Sequence, residues 1–231
     1  MDYNSINIAL VQTTNQMSLP RSRIFLLSPA NVAGIRARYV LGPNAESELA
    51  CRLRGDGVSL GELFSFVSSL YFRGKLAYAR AFAAPPPNLA GSFVITASGG
   101  LLSPETVVNL DRLRRIAGTD IDAGNESYLT PLRRDCQQIC EIASDSCDVV
   151  LLGSVATAKY VDPLLEAFGD RLLFPAEFAG RGDMSRGGLL LRCVEAGEEL
   201  AYVPVRNGTR HGPRPAKLPP LPRRRSKPLS S

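Results

Sequence analysis

The sequence predicts an α/β fold, a three-layer sandwich with a mostly parallel central sheet, followed by a disordered, basic, Pro/Arg-rich C-terminal tail. Three observations predict it. Short apolar runs such as Ile24-Phe25-Leu26-Leu27 are continuous rather than alternating, as strands covered on both faces are. Stripes of apolar residues at helical spacing fall between these runs, and alternating strands and helices build layered α/β domains. At Arg206 the composition changes abruptly and core-forming residues thin out.

The elements follow in order. Residues 1–22 contain one apolar stretch, Ile6 to Val11, and a polar loop, Gln12 to Ser18, which reads as an added strand or a loose arm. Residues 23–205 are expected to form a single α/β domain, within the size that one hydrophobic core supports. Its first strand is Ile24 to Leu27, and further buried strands are expected at Ser92 to Thr96, Val149 to Leu152, Leu172 to Phe174 and Leu200 to Val205. Ser59 followed by Glu62 is a capping box, after which Leu60, Leu63, Phe64, Val67, Leu70 and Tyr71 recur at helical spacing. Gly74 is expected to interrupt this segment, with a second helical piece from Lys75 to Ala83 that Pro85-Pro86-Pro87 stops. Leu132, Cys136, Ile139, Cys140 and Ala143 form another stripe; Thr157 to Phe168 and Gly188 to Ala196 supply later helices.

Residues 206–231 hold eight of the 27 basic residues, none of the 22 acidic ones and six of the 17 prolines. Such a segment reads as extended polyproline II chain, serving as a docking peptide, a nucleic-acid contact or a solubilising end. The formal net charge of +5 therefore hides a division: residues 1–205 keep 19 basic and 22 acidic residues, a net of −3. Any nucleic-acid affinity of the body must come from cations gathered at particular loops.

Composition excludes several chemistries. His211 is the single histidine, which removes an HExxH zinc site and any histidine-based triad in the body of the chain. Trp is absent, so stacking falls to Tyr, Phe or Arg. The five cysteines (Cys51, Cys136, Cys140, Cys147 and Cys193) are odd in number and match no zinc-ribbon or ferredoxin spacing. Without a secretory leader or a bilayer-length apolar run, which needs roughly 18 to 20 residues, a reducing, cytoplasmic setting is expected, with no metal, no cofactor and no membrane partner.

Ligands of open α/β sheets bind beyond the carboxyl ends of the strands. Four small-residue loops occupy such positions: Ser28 to Asn31, Ala97 to Gly100, Gly153 to Thr157 and Gly180 to Gly188. The last is the richest. Its four glycines would let successive N–H groups turn toward one anion, while Arg181 and Arg186 supply bidentate donors and Ser185 a hydroxyl. Asp183, between the two arginines, suits a base, a water-positioning group or a stabiliser of a sugar cation; the alternative is an Arg-Asp-Arg cluster that only ties the loop down. Ser154 and Thr157 can cap a helix whose first turns carry Lys159 and Tyr160, although capping alone accounts for both. Tyr71, Arg73, Lys75 and Tyr78 bring rings and cations together, a pattern suited to nucleic acid or to a packed core. The candidate binding residues are thus Ser28, Asn31, Tyr71, Arg73, Lys75, Ser98, Ser154, Thr157, Lys159, Arg181, Ser185 and Arg186, with Asp183 as the candidate catalytic group.

Leu26-Leu27-Ser28-Pro29-Ala30 resembles the opening strand and loop of the YaaA-like peroxide-stress proteins. Ser69 to Ala79, followed by Val94-Ile95-Thr96-Ala97-Ser98-Gly99-Gly100-Leu101-Leu102, resembles uncharacterised bacterial domains distantly allied to YaaA and to uracil-DNA glycosylases. The likeness implies a three-layer α/β fold and DNA or nucleobase binding. The glycosylase Gly-Gln-Asp-Pro word and the His-containing loop word are missing, which puts glycosidic cleavage in doubt; if it occurred, Tyr71 would stack on the base and Asp183 would position water. The expected function is binding of a phosphate-bearing ligand, nucleic acid or a nucleotide, with N-glycosidic or hydrolytic activity left open. The alternatives are an enzyme of a small phosphorylated metabolite or nucleoside, and a non-catalytic protein that docks through its tail.

Overall fold

Strand β1 (Arg23–Leu27) lies at the centre of a sheet, flanked by parallel neighbours on both sides, β3 (Ser92–Ile95) and β6 (Asp148–Leu152). That position explains its composition: Ile24, Phe25, Leu26 and Leu27 are buried, as an unbroken apolar strand must be. The computed structural model describes residues 21–219, apart from Ala33, Ser69 and Ser144. The expected Ile6 to Val11 strand and the tail from Pro220 onward lie outside the described residues.

The sheet has six strands in the order β4-β3-β1-β6-β7-β8. β7 (Leu172–Pro175) continues the parallel set, whereas β4 (Leu101–Leu102) and β8 (Tyr202–Pro204) are antiparallel edges. The mixed, mostly parallel sheet agrees with the α/β class. Short β2 (Val58–Ser59) and β5 (Val107–Val108) pair separately.

Helices α1 (Ile35–Leu41), α2 (Glu48–Arg54), α3 (Leu60–Ser68) and α4 (Leu70–Phe82) join β1 to β3. Helices α5 (Leu110–Ala117) and α6 (Glu126–Ile142) precede β6, α7 (Ala158–Phe168) joins β6 to β7, and α8 (Asp183–Ala196) joins β7 to β8. α4 packs on α8 and on β1, and α6 packs on α7. The crossovers β1→β3 and β6→β7 run in opposite directions along the sheet, so right-handed connections place their helices on opposite faces. One apolar core runs from Ile24 to Val205.

Two expectations need correction. Gly74 does not break the helix, which runs without interruption from Leu70 to Phe82. An interior glycine costs roughly 1 kcal/mol of helix propensity, and here it permits contact: a Cβ at Gly74 would stand 2.7 Å from the Gly187 carbonyl oxygen, and one at Gly187 would stand 2.7 Å from the Leu70 carbonyl oxygen. α4 and α8 therefore meet backbone to backbone. The capping box is also only half formed. The Glu62 N–H donates to Ser59 Oγ at 3.2 Å, but the Glu62 carboxylate turns to the Arg52 guanidinium at 2.8 and 2.9 Å.

Candidate functional site

All four parallel strands end at one edge, and the chain order reverses between β1 and β6. A crevice opens at such a reversal because the loops leaving the two strands diverge to opposite faces. Here the loops touch at their base. The Ser28 N–H donates to the Leu152 carbonyl at 3.2 Å, and a Cβ at Gly153 would stand 2.9 Å from Ser28 Cβ.

Beside this point lies a cleft of about 420 Å³. Pro29, Ala30 and Asn31 enter it from the β1 exit, Thr96 and Ala97 from the β3 exit, and Lys159 and Tyr160 from the first turn of α7. Phe64 of α3 and Leu113, Ile116 and Ile121 make its apolar walls, and Thr119 adds a hydroxyl. Apolar walls with a few convergent polar groups suit a small ligand. Among the described residues no carboxylate lines the cleft. The Thr96 hydroxyl is engaged already, donating to the Gly100 carbonyl at 2.9 Å and accepting from the Gly99 N–H at 3.0 Å. The Lys159 carbonyl accepts from Tyr128 Oη at 2.9 Å, which anchors the start of α7. Burial, aided by the charge of Asp183, pushes the Tyr160 phenol up to about 12, so it stays a neutral donor.

Behind the switch point is a buried polar cluster. Lys75 is 1% exposed; its Nζ donates to the Ser28 carbonyl at 2.5 Å and to Ser28 Oγ at 2.9 Å, and lies 4.4 Å from the centre of the Tyr71 ring. Burial lowers its ammonium from 10.5 to about 7, with Arg186 pushing the same way and Asp183 opposing. The buried Tyr71 hydroxyl has no hydrogen-bond partner. Burial raises it to about 12, against the nearby Arg186 charge. Arg186, also buried, donates Nε and Nη2 to the Phe178 carbonyl at 3.3 and 3.0 Å, lies 5.1 Å from the centre of the Phe178 ring and pairs with Asp183 at 3.8 Å. Asp183 has a side chain 71% exposed. It is an open carboxylate whose field reaches Lys75, Tyr71 and Tyr160.

A second cleft, about 380 Å³, borders the start of α8. Arg181, Ser185 and Arg192 line one side and Arg214 and Lys217 the other, with Leu70, Met184 and Leu218 between them. Its far wall is the C-terminal segment: residues 206–219 run without helix or strand, and the Arg192 guanidinium donates to the Gly188 carbonyl at 2.8 Å and to the Pro219 carbonyl. Gly180 has φ +70°, and a Cβ there would stand 2.2 Å from the Pro213 carbonyl oxygen, so the segment passes directly over it.

The expected anion-binding loop is thus different in form. From Asp183 onward it is helix, so Gly187 serves packing and Gly188 lines the second cleft, and the two do not form a curled nest of N–H groups. The candidate residues separate into groups. Asn31 and Lys159 share the switch-point cleft; Arg181 and Ser185 share the basic one; Ser28, Tyr71, Lys75 and Arg186 form the buried cluster, with Asp183 above it. Arg73 points to solvent on the face of α4 opposite Lys75, so the two do not converge. Ser98 turns away to donate to the Arg115 carbonyl at 3.0 Å. Ser154 is half-buried in the β6 exit loop, and Thr157 is an exposed N-cap residue whose side chain makes no capping bond. The Tyr71 ring, with Lys75 over it, is a poor stacking platform.

Sequence reasoning missed Phe64, Leu113, Ile116, Thr119 and Ile121 as cleft walls, and Arg192, Arg214 and Lys217 as partners of Arg181. The first five read as ordinary core or loop residues, and no local signal marks them. The second set was readable only as charge. Among the described residues no group of three or more His, Cys, Asp and Glu gathers as metal ligands would, and no helix is long and apolar enough to cross a membrane. No family model matches the chain, and no curated protein or solved structure matches it significantly.

Proposed function

We propose that the chain binds a phosphate-bearing ligand, a nucleotide alone or as a unit of nucleic acid, in the cleft beside the β1/β6 switch point. The observation that carries this reading is the pairing of apolar walls from Phe64, Leu113, Ile116 and Ile121 with a cation, Lys159, in the first turn of α7 and no lining carboxylate. The walls suit a base, and Lys159 with the positive end of the helix suits a phosphate. The YaaA-like words supply the β1 exit and the β3–β4 turn that border this cleft, and that likeness belongs to the same proposal.

Calorimetric titration with nucleoside monophosphates and with inorganic phosphate tests it. Binding of at least one monophosphate, weakened about tenfold by Lys159→Ala as loss of a charged contact predicts, supports the reading. Indifference to both Lys159→Ala and the cleft-filling Ile116→Trp would sink it.

Hydrolysis is a second reading favoured by one observation. Asp183 is the exposed carboxylate beside Arg186, placed where its field reaches Lys75, Tyr71 and Tyr160.

A further inference from the structure

We infer that the cleft between α8 and the C-terminal segment is a second anion site, one that takes the phosphodiester backbone of a single nucleic-acid strand. The ligand is then a strand rather than a free mononucleotide. The choice of nucleic acid as the polyanion rests on the nucleotide reading of the switch-point cleft.

Four cations converge on this cleft of about 380 Å³: Arg181, Arg192, Arg214 and Lys217. None of them pairs with a carboxylate among the described residues. Elsewhere among the described surface residues some arginines, such as Arg52, Arg80, Arg133, Arg134 and Arg206, hold an acidic partner and others, such as Arg73 and Arg115, do not; these four are set apart by lining one cleft. Among the described residues the Arg192 guanidinium donates to the Gly188 and Pro219 carbonyls, which orient it without neutralising it. Arg181 donates to Ser185 Oγ at 3.3 Å, and its Nε is buried without a partner. Uncompensated cations in a concave site raise the local concentration of anions.

Shape and composition favour a single strand. The cleft is too small to admit a duplex. Leu70, Met184 and Leu218 lie among the cations, and apolar surface next to phosphate contacts serves ribose and unstacked bases, which a duplex backbone does not present. The far wall comes from a segment whose four basic residues between 206 and 219 are accompanied by no acidic residue.

The experiment is fluorescence anisotropy of the full chain with a labelled oligothymidylate of about 12 nucleotides, a length within the range that single-strand sites cover, over a series of NaCl concentrations. Arg214→Ala/Lys217→Ala changes two exposed side chains and leaves the core untouched. It should weaken binding about tenfold or more and make the slope of log K against log salt shallower by about 1.4, two contacts at about 0.7 each. Arg223→Ala/Arg224→Ala/Arg225→Ala, later in the sequence and outside the described residues, should have the smaller effect. An unchanged slope in the first variant, or a larger loss in the second, would overturn the inference, as would competition by polyaspartate equal to that by the oligonucleotide, which would indicate an acidic protein partner. Mononucleotide titration separates the two readings: Arg214→Ala/Lys217→Ala should leave it unchanged, whereas Lys159→Ala should weaken it about tenfold without altering the salt slope by more than one contact.

Discussion

The Lys75 ammonium is held 2.9 Å from Ser28 Oγ and 2.5 Å from the Ser28 carbonyl, which ties the middle of α4 to the end of the central strand. No carboxylate forms an ion pair with it among the described residues, so burial sets its charge. A lysine in the unfolded chain ionises at its ordinary value of 10.5, whereas in the fold it does so at about 7.

The unfolded chain therefore holds more protons than the folded one between pH 7 and 10.5, and stability rises with pH across that window. The buried thiol of Cys136 and the phenols of Tyr71 and Tyr160, all raised by burial, act oppositely once their unfolded counterparts ionise above about pH 9 to 10. Urea denaturation should show a maximum near pH 9, and Lys75→Met should flatten the rise below it. A wild-type profile that falls steadily from pH 7 to 9 would refute this account.

Asp183→Asn removes a charge that favours the protonated Lys75. The amine should then titrate below 7, as read by NMR of a 15N-labelled lysine side chain. If Asp183 also positions water, an abasic-site assay on uracil-containing DNA should show activity in the wild type and its loss in Asp183→Asn. Equal activity in both proteins would eliminate that role.

Gly187→Ala places a methyl group 2.7 Å from both the Leu70 carbonyl oxygen and Tyr71 Cα, where only backbone can move. It should cost about 2 to 3 kcal/mol, as overpacking does, and disturb the Tyr71 environment, visible in near-UV circular dichroism. Gly182→Ala is the control: nothing lies within 4 Å of its added Cβ, and the cost should stay below about 1 kcal/mol.

Gly100→Ala combines a φ of +67° with a Cβ 2.0 Å from Asp135 Oδ2, the oxygen that accepts the Leu101 N–H at 2.8 Å. The substitution should lower stability by about 2 kcal/mol or more through strain and the displaced carboxylate. Asp135→Ala should destabilise as well, by removing the acceptor of the Leu101 N–H. A thermal midpoint unchanged in both would contradict the assigned role of this turn.

The parallel strands were legible because each is a local signal. Ile24 to Leu27, Val149 to Leu152 and Leu172 to Phe174 are continuous apolar runs, and burial from both faces demands such runs wherever they lie in the sheet. The small-residue loops after them were legible for the same reason. The edge strand Leu101–Leu102 was not, because two residues carry no periodicity and their pairing depends on the Gly100 turn and Asp135. Nor was the continuity of α4 through Gly74, since a glycine that breaks a solitary helix becomes the point of closest approach once Gly187 faces it. Patterning along the sequence determined the α/β class, and composition by itself determined the absence of histidine chemistry in the body and the concentration of positive charge after residue 205. Only the tertiary structure decided which cations share a cleft. Arg181 and Arg186 are close in the chain, yet the first opens toward Arg214 and Lys217 while the second is buried on Phe178. Arg181 precedes the N-cap of α8 whereas Arg186 lies inside the helix, and only the packing of α8 against α4 determines which of its faces is buried.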